Sequence, residues 1–308
     1  MAGDPLERCS GVARLLAEPL PGTAPVAQRL VFVESVGAWP RSVDRHPDPA
    51  IAGLAARAAD AGRKVLLIRR PGRRLAPDAP RTVLIADVAP GAARVGRFLV
   101  DGPADLSALP LDTGGEPVTH PSLLVCTHGT RDVCCAVEGR ALAAAVAETG
   151  QVDVWECSHL GGHRFAPTAL VLPTGYLYGR LDPASAVAAA KAAGAGEVET
   201  AHCRGRMAWT AAGQVAELAV REHTGLRDAD ALSVTEVSMS TEPFTRVVVS
   251  GVGAERIEAR TVGAQTVGAQ WEVRVEEQRG PARPLSCAGT LERCAPLVAT
   301  AVRSVTRT

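Results

Sequence analysis

Lysine is nearly missing: Lys64 and Lys191 are the only two, and every other basic residue of this 308-residue chain is arginine. Alanine dominates the helical stretches, so the skew reads as GC-rich coding rather than as a phosphate-binding device. Net charge is missing too, with 33 basic residues balancing 33 acidic ones, and nothing draws the whole chain to nucleic acid or an anionic membrane. Long apolar runs are lacking, because charges or prolines interrupt each one. The opening MAGDPLERCSGVARLLAEPLPG has no basic cluster followed by an apolar core of signal-peptide length. The expectation is a cytoplasmic protein with neither a membrane nor a nucleic-acid partner. No Gly-rich dinucleotide fingerprint follows a predicted strand, so any electrons the chain handles are expected from a redox protein partner rather than a bound nicotinamide.

Cysteine, by contrast, is plentiful, at positions 9, 126, 134, 135, 157, 203, 287 and 294. In a reducing compartment these read as metal or redox candidates rather than as a disulfide framework. The segment 122–180 holds four of the eight cysteines and three of the seven histidines, and that density needs a chemical reason.

The pattern of elements frames the cluster. Apolar, β-branched runs at 29–34 (RLVFVE), 64–68 (KVLLI) and 82–86 (TVLIA) predict buried strands, and the alanine-rich stretch 51–61 predicts a helix between the first two. The Pro- and Arg-dense stretch 70–81 is a loop, 95–101 another strand, and 102–120 a linker. The order then repeats, with strand 122–126, helix 136–148, and strands 152–156, 169–173 and 176–180. A strand-helix-strand unit followed by a hairpin is the sequence pattern of a thioredoxin-like domain, and the matching order allows the first half to be a degenerate copy of the second. Asp182 and the proline after it predict an N-cap opening a helix over 182–195. Farther on, a helix over 211–223, strands at 246–250, 255–259 and 271–276, and a closing helix over 290–302 predict an α+β tail. The repeated TVGAQ at 261 and 266 reads as a loop. The fold class expected is α/β, in three parts: 1–115, a thioredoxin-like 116–200, and the α+β module 201–308.

Cys126 stands at the carboxyl end of a predicted strand, where α/β folds present reactive groups. From it, THGTRDVCC leads to Cys134 and Cys135 at a helix start, where the macrodipole and free N–H groups favour thiolate. The following strand ends in CSHLGGHRF, whose glycines put His159 and His163 in a tight loop and let backbone approach a bulky ligand. Two cysteines from one loop and two histidines from the next are thus expected to converge at one edge of the sheet. Two thiolates and two imidazoles suit zinc or a 2Fe-2S cluster with histidines on one iron. The bare pattern does not choose, although zinc cysteines usually stand two to four residues apart and here seven or eight residues intervene.

CTHGTRDVCC with CSHLGGHRFAP resembles the sucrase/ferredoxin-like family, whose members resemble thioredoxin-like ferredoxins. The family's cysteine, its histidine two residues on, its Arg-Asp pair and its second cysteine fall at Cys126, His128, Arg131-Asp132 and Cys135. The Cys-Ser-His-x-Gly-Gly-His stretch and its basic residue fall at 157–164. The resemblance implies a 2Fe-2S cluster with bis-histidine ligation, carried by Cys126, Cys135, His159 and His163. Cys134 stands where relatives often have a basic residue, so it is an alternate to Cys135, and Cys157 and His128 are further alternates. Arg131 and Arg164 either offset the cluster's charge or are surface arginines, and Asp132 reads as a helix N-terminal charge. Cys9, Cys203, Cys287 and Cys294 are assigned no role. The expected function is non-catalytic electron transfer. The rivals are a structural zinc module in an interaction domain and a thiol oxidoreductase with Cys126 or Cys135 as nucleophile.

Overall fold

A computed structural model describes residues 8–72, 79–112, 114–239, 244–252 and 269–305. A short helix α1 (Cys9–Leu15) leads into β1 (Arg29–Glu34), α2 (Pro49–Asp60), β2 (Lys64–Arg69), β3 (Arg81–Asp87) and β4 (Arg94–Val100). The stretch expected as linker contains α3 (Pro103–Ala108) and the two-residue β5 (Glu116–Pro117). Next come β6 (Ser122–Cys126), α4 (Arg140–Thr149), β7 (Asp153–Cys157), β8 (Ala169–Leu172), β9 (Tyr176–Tyr178), α5 (Pro183–Gly194) and β10 (Cys203–Arg206).

All ten strands form one mixed sheet, in the order β10-β9-β8-β6-β7-β2-β1-β3-β4-β5. β1 pairs in parallel with β2 and antiparallel with β3, which pairs with β4. β6 does the same with β7, β8 and β9. The two halves therefore share one connectivity, that of a thioredoxin-like α/β unit. They meet where β2 runs antiparallel to β7, with Ile68 opposite Cys157.

The pleat sorts the strand residues into two layers. Leu30, Phe32, Leu66, Ile68, Leu124, Cys126, Trp155 and Cys157 share one buried face. Their neighbours Val31, Val33 and Leu67 pack under Ile51 and Leu54 of α2, and Leu123, Val125 and Val154 pack under Leu142 and Val146 of α4. Burial on both faces is why β1 and β6 are continuous apolar runs rather than alternating ones. Asp182 caps α5 as the sequence predicts, its side chain accepting from the Ser185 N–H at 2.7 Å with proline at the first turn.

The tail is an antiparallel sheet of β11 (Leu232–Met239), β12 (Thr245–Gly251), β13 (Gln270–Glu277) and β16 (Leu297–Val305), with a hairpin of β14 (Ala282–Pro284) and β15 (Leu291–Arg293). Helix α6 (Ala211–Thr224) lays Val215, Ala216 and Val220 on Val247, Val249, Trp271 and Val273 of that sheet. The helix expected over 290–302 is not formed: that stretch is β15, a break at Pro296, and β16 paired along its length with β13. Its alanines and leucines mimic a helical pattern, but proline interrupts it and the β-branched Val298, Thr300 and Val302 complete a sheet that the helix would leave open. The strand β11 was not anticipated. The expected strand 255–259 and most of the TVGAQ repeat lie outside the described residues. Among the described residues no helix is long and apolar enough to cross a membrane.

Candidate metal centre

β6 and β7 are parallel neighbours in register, Cys126 opposite Cys157, so the loops after them leave from the same end of the sheet. That end lies in the middle of the ten-stranded sheet, not at an edge as the sequence suggested. The chain leaving Cys126 returns as a π-helical turn, Cys135–Gly139, that continues into α4. Single π turns inside helices recur at functional sites, because the extra residue re-aims a side chain. Gly139 makes the approach possible, since a Cβ there would overlap the carbonyl oxygen of Cys126.

The outcome is that the Sγ atoms of Cys126 and Cys135 and a ring nitrogen of His159 lie within 4.8 Å of one another. His159 Nδ1 is 3.9 Å from Cys126 Sγ. The hydrogen bond from the Cys135 thiol, together with His159, holds Cys126 well below the ordinary thiol range against the burial that opposes it. Cys135, the donor, is shifted upward by that bond and by burial. A metal entering here displaces the remaining proton.

His163 follows Gly161 and Gly162, both at positive φ (80° and 70°), which turn the chain back so that its ring stacks on that of His159 with centroids 5.4 Å apart. Its Nε2 is 2.6 Å from the carbonyl oxygen of Leu285. A carbonyl only accepts, so Nε2 carries the proton and Nδ1 presents a lone pair. That Nδ1 is buried without a hydrogen-bond partner, but His163 stands outside the group that brings ligand atoms of Cys126, Cys135 and His159 within 4.8 Å of one another.

The alternates go elsewhere. Cys134 turns away from Cys135 and faces Cys9, 3.6 Å off. It is pulled down to about 6 by hydrogen bonds from Cys9, Ser10 and Cys287. Cys157 is fully buried in the strand layer, and burial pushes its thiol up. His128 Nδ1 accepts the His159 backbone N–H at 3.1 Å, and its ring stands edge-on to Trp39, so it braces the histidine loop. Arg164 pairs with buried Glu18 at 2.9 Å and lies over Phe165; its charge is spent there. Asp132 is more than a helix-start charge. Its buried carboxylate accepts the backbone N–H groups of Cys134 and Cys287, both at 2.9 Å, and lies 3.8 Å from His163. Leu285, Cys9 and Cys287 carry no sequence signal, because they come from segments more than a hundred residues away.

The profile of the sucrase/ferredoxin-like family matches residues 20–205. The chain belongs to this family. The matched span contains every Cys and His of the 122–180 cluster, while Cys9 and Cys287 fall outside it. Membership in the sucrase/ferredoxin-like family suggests a ferredoxin-like role, and Cys126, Cys135 and His159 form a group that could hold a metal ion. No curated protein and no solved structure matches the chain.

Proposed function

We propose that this protein is an electron carrier whose 2Fe-2S cluster would be held by Cys126, Cys135, His159 and His163. The observation that carries the reading is the donor set itself: two thiols beside His159, and a His163 stacked on that ring whose Nε2 is tied to Leu285 while its Nδ1 is buried and unpartnered. When bound, the cluster supplies a one-electron couple, at a potential above that of an all-cysteine ferredoxin because neutral imidazoles replace two thiolates.

The protein's own groups set the conditions for that couple. Leu285 fixes the His163 tautomer, and burial holds that ring below the ordinary imidazole value, with nearby Asp132 opposing. His128 holds the His159 backbone. His159 lines a groove of about 490 Å³ together with Arg41, Asp44, Lys64 and Arg131, so an acidic redox partner would dock beside that imidazole. Cys126 and Cys135 are each only 1% exposed; a thiol oxidoreductase would need one of them within a substrate's reach, which argues for the carrier. Eight free thiols fit a cytoplasmic setting. We take 116–200 as the ferredoxin unit, flanked by 1–115 and 201–308.

The test is anaerobic purification with ample iron and sulfide, followed by visible absorption and electron paramagnetic resonance of the reduced protein. A coloured protein whose signal is lost in Cys126→Ser and shifted in His159→Cys supports the carrier. A colourless protein holding zinc at Cys126 and Cys135 under those conditions refutes it and returns the zinc module.

A further inference from the structure

Beside this site is a second group of ligating side chains, three of them cysteines that the electron-transfer reading does not use. Cys9 begins α1, Cys134 precedes the π turn, and Cys287 lies between the strands of the β14–β15 hairpin. Their sulfurs form a triangle with edges of 3.6 Å (Cys9 to Cys134), 3.3 Å (Cys134 to Cys287) and 3.7 Å (Cys287 to Cys9). The Asp132 carboxylate closes the group, 3.9 Å from Cys9 Sγ, and all four ligand atoms lie within 4.8 Å of one another. Cys9 and Cys134 are fully buried, Asp132 is nearly so, and Cys287 is exposed.

We propose that Cys9, Cys134, Cys287 and Asp132 form a structural zinc site that clamps the two ends of the chain onto the thioredoxin-like unit. The dimensions fit a single tetrahedral ion: with zinc–sulfur bonds of about 2.3 Å, the sulfurs of a tetrahedron stand about 3.8 Å apart. Sulfurs in mutual contact leave no room for a cluster with its own sulfides. Three thiolates and one hard carboxylate oxygen match the borderline softness of zinc, whereas a copper(I) site would favour sulfur throughout.

The surroundings support the same assignment. Each carboxylate oxygen of Asp132 accepts one backbone N–H, from Cys134 and from Cys287, which orients the carboxylate while leaving lone pairs for a metal. Ser10 Oγ donates to Cys134 Sγ at 3.2 Å, as an outer-shell hydroxyl does to a metal-bound thiolate. The pairs bridged are separated by 125, 153 and 278 residues, so one ion closes loops that the backbone alone closes at a large entropic cost. Buried Arg283, in the same hairpin, also reaches Glu18 behind α1, so hairpin and helix are docked independently of the cysteines and the metal finds the ligands assembled. Exposed Cys287 gives the ion its way in.

Metal analysis of the full-length chain and its variants tests the site separately from the iron. Wild type is expected to hold about one zinc per chain, and Cys9→Ser and Cys287→Ser to lower zinc occupancy about tenfold or more, with iron content and far-ultraviolet circular dichroism unchanged. The Cys126→Ser/Cys135→Ser double variant should do the reverse, losing iron and keeping zinc. Cobalt(II) added to zinc-stripped wild type should give tetrahedral d–d bands and thiolate charge-transfer absorption that Cys287→Ser lacks; since Cys287 is at the surface, its replacement leaves the core packed. A wild-type protein that neither carries zinc nor binds cobalt at this site overturns the proposal, as does zinc that survives Cys9→Ser and Cys287→Ser or a disulfide found among the three cysteines of freshly isolated protein. A chain with zinc but no iron sinks the electron-carrier reading and leaves this one standing.

Discussion

Replacing Arg221 with methionine should unfasten the C-terminal module from the main sheet. Arg221 and Glu217 stand one turn apart on α6, both with fully buried side chains, joined at 2.9 Å. Arg221 also donates to the Tyr176 hydroxyl of β9 at 3.0 Å and to the carbonyls of Leu226, Asp228 and Ala229 at 3.0, 2.8 and 3.1 Å. Tyr176 in turn donates to Glu217. Methionine fills much of the volume but donates nothing, so the Glu217 carboxylate is left buried against a single hydroxyl. Breaking a buried pair from one side costs about 3–5 kcal/mol, while the Asp228 and Ala229 carbonyls keep other donors, the Ala231 N–H and Arg206. Urea unfolding followed by Trp fluorescence should therefore lose about 4 kcal/mol in Arg221→Met. Adding Glu217→Leu should recover at least half of that loss, because no charge is then stranded. A single-variant loss below about 1 kcal/mol, the range of exposed ion pairs, would show that α6 and β9 are not locked by this network.

Three further outcomes are expected. Gly139→Ala should gain at most about 1 kcal/mol of helix propensity and lose about 1–3 kcal/mol to overpacking against the Cys126 carbonyl, so thermal scans should show net destabilisation together with a weakened visible absorption. If Cys135 is the ligand, Cys135→Ser abolishes the 2Fe-2S spectrum and Cys134→Ser leaves it, which one absorption measurement on each variant decides. His46 is held below its ordinary value of 6.5 by burial, with nearby Arg81 assisting and Asp48 opposing, while its Nδ1 accepts the Asp48 N–H at 3.0 Å. Its contribution is therefore complete above about pH 6.5 and lost as pH falls through the lower folded value. The urea midpoint of wild type should fall more steeply toward pH 5 than that of His46→Asn.

Much of this architecture was legible in the chain because its determinants are local. The run 122–126 is uniformly apolar and bounded by turn residues, so β6 was readable nearly to the residue, and Asp182 and the proline beside it marked the start of α5. The Cys/His cluster was visible because its members fall in two short motifs flanking one strand-helix-strand unit, and such a unit returns both motifs to the same end of the sheet. Local composition misled at 290–302, where alanine and leucine imitate a helix and only the open edge of β13 decides for a strand.

The sequence alone thus determined the order of elements within each half, the Asp182 cap, and which two motifs supply the Cys/His group that could hold a metal. Tertiary structure decided the rest. It joined the halves through β2 and β7, put the site in the middle of the sheet, and parted two adjacent cysteines, sending Cys135 to Cys126 and Cys134 to Cys9 and Cys287. The physical reason is range: periodicity and capping act within a few residues, whereas the direction of a thiol is set by a π turn packed on a distant carbonyl. The partners of Cys134 come from the two ends of the chain, 125 and 153 residues away, where no local pattern records that they meet.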